Sequence, residues 1–185
     1  MVSSTQMSPG MILSIDGKLY RVESSVKVTA PKGPPFIKSR LRDLLSEKVT
    51  EKNFKVGQDV DEVHLEERKL EFLYLEGKNY FFLDVNKLEQ VLISPKIVGD
   101  KANFLKEGVE LEATFYGNVV FTVELPQFLE LMVARTDPAL ESTHLTNATK
   151  EAVLETGATI EVPPFIESGD VIKVDTRTSE YIQRV

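Results

Sequence analysis

The chain has 185 residues, of which 42% are hydrophobic and 28% charged, and it carries a formal net charge of −7 with no cysteine. This balance argues against wholesale disorder, and the missing thiols exclude disulfides and cysteine-ligated zinc. A net negative chain is also a poor non-specific ligand for nucleic acid. The first ten residues lack a basic segment followed by an apolar run, and no apolar stretch approaches the ~20 residues that span a bilayer. A soluble, cytoplasmic protein is expected.

In chain order, almost every segment reads as short strand and turn. Met11–Ile15 and Leu19–Val22 flank Asp16-Gly17, the turn chemistry of a tight hairpin. A strand through Val26 and Val28 then enters Thr29-Ala30-Pro31-Lys32-Gly33-Pro34-Pro35, and a strand from Phe36 to Leu44 leaves it. Pro31, Pro34 and Pro35 restrict φ, while Gly33 is free to turn with φ > 0, so one cation, Lys32, stands at the apex of a stiff loop. Spacing alone favours a proline-rich turn whose lysine keeps it soluble; a loop built to present that lysine is the alternative. In the outgoing strand, Ile37, Ser39 and Leu41 alternate with Lys38, Arg40 and Arg42, which places the basic side chains together on the outer face. Val49–Val56 is a further strand, closed by Gly57-Gln58-Asp59. Five short strands in about sixty residues predict a small SH3-like barrel.

Periodicity fades in the acidic stretch from Asp59 to Glu67, and a boundary is placed there. Leu70–Leu75 and Tyr80–Leu83 form a hairpin around Glu76-Gly77-Lys78-Asn79. Asp100 is expected to cap a short helix through Phe104 that ends at Gly108. Val109, Leu111, Ala113 and Phe115 alternate with polar residues, and after Gly117-Asn118 the residues Val119, Phe121, Val123 and Leu125 return with the same period. A second small barrel, an OB-fold, accounts for this set. Beyond Pro126, Leu129–Ala134, Ala158–Val162, Val171–Asp175 and Glu180–Val185 are strands, and Ser142–Thr149 is a loop. The reading is all-β, with three modules at 1–63, 64–128 and 129–185 and no repeat at a fixed period.

Charge is distributed unevenly. Residues 1–63 hold 10 Lys/Arg against 8 Asp/Glu, residues 64–128 hold 7 against 11, and residues 129–185 hold 5 against 10. All 10 basic groups of the first module fall within residues 18–55, beside only 4 acidic ones. Such a module can face phosphate while the rest repels it; it equally describes one domain's solvated surface. No motif for nucleotide, nucleophile or metal chemistry occurs, and His64 and His144 read as surface residues. Asp137 or Asp175 as the general acid of a hydrolase has no support in the pattern. Most of Phe72, Tyr74, Phe81 and Phe82 read as core, with base stacking as the alternative.

Taken together, these segments resemble bacterial elongation factor P over the whole chain. The residues that carry the resemblance are the loop around Lys32-Gly33, the run Lys38-Ser39-Arg40-Leu41-Arg42-Asp43-Leu44, and Glu51-Lys52-Asn53-Phe54. The most specific is the C-terminal portion, from Thr136-Asp137-Pro138 through Thr156-Gly157-Ala158-Thr159-Ile160-Glu161-Val162-Pro163-Pro164-Phe165-Ile166 to Glu180-Tyr181-Ile182-Gln183-Arg184-Val185. The resemblance implies an L-shaped, tRNA-like arrangement of a KOW/SH3-like domain and two OB-folds. It implies a monomeric factor, not an enzyme and without a cofactor, that binds the ribosome between the peptidyl-tRNA and exit sites and relieves stalling at consecutive prolines. Lys32 would reach the acceptor end of the peptidyl-tRNA, flanked by Pro31, Gly33 and Pro34, while Lys38, Arg40 and Arg42 would contact RNA. In the family the tip residue is often extended covalently, which implies a lysine-modifying enzyme as a further partner. Two stretches depart from the family pattern. Many lysine-type relatives carry Pro-Gly-Lys-Gly at the tip, where this chain has Ala30-Pro31-Lys32-Gly33-Pro34-Pro35. The codon-reading loop of relatives is glycine-rich, where this chain has Glu141-Ser142-Thr143-His144-Leu145-Thr146-Asn147.

Overall fold

A computed structural model of the chain describes residues 1–138 and 148–185. The stretch 141–147, and with it the question of codon contact, lies outside the described residues. The described chain is all-β, in three antiparallel sheets divided between two compact units, Met1–Leu65 and Glu66–Val185.

The first unit contains β1 (Val2–Ser3), β2 (Ile12–Ile15), β3 (Lys18–Val28), β4 (Phe36–Asp43), β5 (Val49–Lys55) and β6 (Asp59–Glu62), in the order β1-β6-β2-β3-β4-β5. Asp16 and Gly17 both have positive φ, 51° and 77°, so the β2–β3 hairpin closes on the turn that its sequence announces. Leu13, Val22, Ile37, Leu41, Phe54 and Val60 are buried and form the centre of the core. The two outer edges of the sheet meet at Ser4, whose hydroxyl donates to the Lys55 carbonyl at 2.7 Å and accepts from the Gly57 N–H at 3.1 Å. The sheet is thereby curled into a small barrel. Two of its strands are missing from the sequence reading. Within the stretch that lacks periodicity, Asp59–Glu62 is a strand: Val60 alone is buried, pairing with Val2, while Leu13 pairs with Glu62. One inward residue in four leaves no visible period.

The second unit begins with β7 (Glu66–Glu76), β8 (Asn79–Asp84) and β9 (Gln90–Ile93), followed by a single-turn helix α1 (Pro95–Val98) and a 3-10 segment (Gly99–Phe104). The helical stretch therefore starts before Asp100, with Ser94 at the N-cap and Pro95 at its start; Asp100 lies in the first turn of the 3-10 segment instead of capping it. Proline pre-sets φ for a first helical turn, a stronger local signal than the aspartate. β10 (Glu110–Tyr116) and β11 (Val119–Glu124) complete the sheet order β11-β10-β7-β8-β9. Their hairpin is not a uniform alternation. The register shifts between Thr114 and Phe115, so Val120 pairs with Phe115 and is buried, whereas Val119 is 66% exposed. The shift inserts a residue and flips the period, a change that a binary pattern cannot register.

The last sheet contains β12 (Phe128–Thr136), β13 (Lys150–Leu154), β14 (Thr159–Val162), β15 (Val171–Asp175) and β16 (Glu180–Arg184), ordered β14-β13-β12-β15-β16. One continuous apolar core runs through both sheets of this unit, from Leu70 and Phe82 to Ile172 and Val174. Lys106 reaches from the first sheet's side to Glu155 at 2.8 Å, and Glu155 also accepts the Met132 N–H. Burial opposes ionisation of Glu155, but Lys106 and that N–H outweigh it and hold the carboxyl below its ordinary pKa.

A single connector recurs once in each sheet. Asp43, Asp84 and Asp175 each end a strand and accept, on Oδ1, the N–H groups two and three residues ahead. The fourth residue ahead (Glu47, Leu88 or Ser179) has φ between 55° and 59° and donates its N–H to the aspartate's own carbonyl. The intervening residues share no sequence, so the repeat is one of backbone geometry alone.

Candidate functional site: the Lys32 loop

β3 and β4 pair out to Val28 and Phe36, and the loop 29–35 closes between them. Residues 31–35 are all exposed, and Gly33 has φ of 120° with open space where a Cβ would stand. The loop is held by the ladder beneath it and by its own prolines. Lys32 is therefore a solvated ammonium on a stiff projection from the barrel. Such a group offers charge and reach to an anionic partner.

Along β4 the expected alternation holds: Ile37, Ser39 and Leu41 are buried, and Lys38 and Arg40 are exposed. The three cations are not equivalent. Arg42 donates through Nε to Glu23 at 2.6 Å and through Nη1 to the Glu47 carbonyl at 3.2 Å. Lys38 lies 3.7 Å from Glu51. Arg40 makes no ion pair among the described residues. Two cations outside the sequence reading, Lys27 and Lys55, are exposed beside the loop's base, opposite Ile37 and Phe36. Charge read along one strand misses them, because the pairing register brings three strands to the loop.

The other residues singled out from sequence lie elsewhere. Phe72 and Phe82 are core, in edge-to-face contact at 5.4 Å. Tyr74 and Phe81 instead stack at 4.9 Å on the outer face, outside the core expected for most of the four aromatics. The β7 register shift between Phe72 and Tyr74 turns Tyr74 to that face, and Phe81 takes it by alternating with Phe82. Asp175 serves its turn: the Arg177 N–H, opposed by burial and then assisted by Thr178, keeps its carboxyl below the ordinary range. Its carboxylate is engaged by the turn, as those of Asp43 and Asp84 are. Among the described residues, no group of three or more His, Asp or Glu side chains is arranged to hold a metal ion, and no helix is long and apolar enough to cross a membrane.

Three family models match the chain in sequence. The KOW-like domain of elongation factor P covers residues 3–60, its OB domain covers 65–123, and the C-terminal model covers 129–184. Elongation factor P 1 of Protochlamydia amoebophila is 63% identical over 185 residues, which is all of both chains. The protein of that name from Chlamydia caviae is 51% identical over all of both chains. Elongation factor P of Natranaerobius thermophilus is 41% identical over all of this chain and 98% of its own. A solved eif-5a family protein from Naegleria fowleri superposes with a TM-score of 0.54 at 10% identity, covering 67% of this chain and 96% of that one, a likeness of fold.

Proposed function

Since the chain belongs to the elongation factor P family and is a translation elongation factor, we propose that it binds the ribosome between the peptidyl-tRNA and exit sites and relieves stalling at consecutive prolines by positioning the peptidyl-tRNA. The observation that carries this reading is the exposure of Lys32 at the apex of a stiff loop on a register-locked hairpin. In it the factor works in the cytoplasm as a monomer, with the ribosome and peptidyl-tRNA as its partners.

The chain need supply no acid, base or nucleophile for this. Proline is a constrained donor and acceptor, so a loosely held peptidyl-tRNA loses rate through orientation. Fixing its end in a reactive geometry removes an entropic barrier that can reach about 7 kcal/mol. An ammonium at the loop apex favours a phosphate neighbour, and Arg40, Lys38, Lys27 and Lys55 extend the cationic surface behind it. Lys32 is also the amine that a lysine-modifying enzyme would extend. The prolines let an unmodified side chain be presented at low entropic cost. An added mass on the Lys32 peptide, read on protein from the native cell, distinguishes the two forms.

The test is in vitro synthesis of a reporter with a Pro-Pro-Pro stretch. Wild-type factor is expected to relieve the pause, and Lys32→Ala to slow Pro-Pro bond formation at least about tenfold relative to it, which corresponds to about 1.4 kcal/mol. Equal relief by the two proteins would overturn the role of the lysine. Micromolar binding to free single-stranded RNA, with a steep salt slope and indifference to Lys32, would point to a general RNA-binding protein instead.

A further inference from the structure

The base of the Lys32 hairpin contains a defect. Val22 pairs with Leu41, but the next pair is Ser24 with Arg40, so Glu23 is an extra residue in β3. This is a β-bulge, a device that bends a strand and re-aims the residues beyond it. It lies where the barrel ends and the projection begins. The Val22 N–H donates to Met11 and its carbonyl accepts from Gly10, while the β2–β3 pairing stops at Arg21. Beyond the bulge, β3 pairs with β4 alone.

Apolar burial does not favour this register. Without the bulge, Ser24 would stand opposite Ser39 and Val26 opposite Ile37, which turns Val26 toward the buried face. With it, Ser25 takes the place opposite Ser39, and Val26 is 55% exposed. A slip to the unbulged register would also shorten one arm of the hairpin by a residue and move Lys32 along the loop. The bulged residue itself supplies the opposing interaction. The Glu23 carboxylate accepts a charge-assisted hydrogen bond of 2.6 Å from Arg42 Nε, and Arg42 is tied in turn to the Glu47 carbonyl of the connector at the far end of β4.

We infer that the Glu23–Arg42 pair is a positioning device for Lys32: it locks the bulge, and hence the register and aim of the loop, and Arg42 spends its charge there instead of on RNA. This inference rests on the function proposed above. Glu23→Ala separates the two roles of Arg42, because it removes the acceptor and leaves the cation. The expected result is a fall of between about 5- and 100-fold in the maximal rate of Pro-Pro bond formation at saturating factor. The factor concentration giving half the effect is expected to stay at the wild-type value. Arg42→Ala should behave alike, and the double variant should lose no more than either single one. In NMR spectra, cross-strand contacts between Ser24 and Arg40 should weaken and the Gly33 amide should shift, while the Leu13–Tyr20 pairing persists as the sign of an intact barrel.

An unchanged maximal rate in Glu23→Ala would overturn the proposal. So would a raised half-effect concentration with a shallower salt slope in Arg42→Ala, the signature of a lost phosphate contact. If wild-type factor relieves no pause, the functional reading falls by itself, and the Ser24–Arg40 contacts still decide whether the pair sets the register.

Discussion

Asp43, Asp84 and Asp175 show how one side chain can direct a reversal that is more often left to glycine. Each carboxylate satisfies two N–H groups of the turn, which lets Glu47, Leu88 and Ser179 take up a left-handed conformation that costs a non-glycine residue roughly 1–2 kcal/mol. The donors also act on the carboxyls. The Ser46 and Leu45 N–H groups lower the pKa of Asp43, and the Lys87 N–H, opposed by burial, lowers that of Asp84. A carboxyl whose folded pKa lies below its unfolded value stabilises the fold fully above the unfolded value, near about 4, and the contribution is lost as pH falls through the folded one. Urea midpoints are therefore expected to fall as pH drops below about 4. The asparagine variant Asp175→Asn, which does not ionise, should show a shallower fall, and parallel profiles for the two proteins would remove the assigned cause.

At the scale of the element, the strands follow their periodicity except where a bulge inserts a residue. Register shifts in β3, β7 and β11 exchange the faces of Val26, Tyr74 and Val119 relative to an unbroken pattern. Closure of the first barrel depends on a residue without any pattern, Ser4, which is buried between Lys55 and Gly57. Ser4→Ala leaves the Gly57 N–H unpaired there and takes from the Lys55 carbonyl one of its two donors, the other being the Gln58 N–H, and should cost about 1–3 kcal/mol in urea denaturation. A change within about 0.5 kcal/mol, the range of ordinary surface substitutions, would mean that the barrel closes without this hydroxyl.

At the scale of the whole molecule, the two units hold separate cores. The first is built on Leu13, Val22, Ile37, Leu41, Phe54 and Val60, and the second runs unbroken through both of its sheets. Calorimetry is expected to resolve two transitions. Leu13→Ala should destabilise the first unit by about 2–5 kcal/mol and leave the other transition in place. A single transition that moves as one would show the units to be energetically coupled.

The amino-acid sequence determined the all-β character, the hairpins at Asp16-Gly17 and Gly117-Asn118, the Lys32 loop between its strands, and the outward face shared by Lys38 and Arg40. These follow from local chemistry: a turn residue's φ, a proline's ring, and the two-residue alternation of a strand. Tertiary structure decided what depends on a partner distant in the chain. Val60 needed Val2 to become a strand residue, Arg42 needed Glu23 to be tied into the barrel wall, and the aspartate connectors needed paired strands on both sides. A bulge shifts every side chain beyond it by one place and leaves the composition unchanged, so only the pairing register could reveal which face each residue occupies.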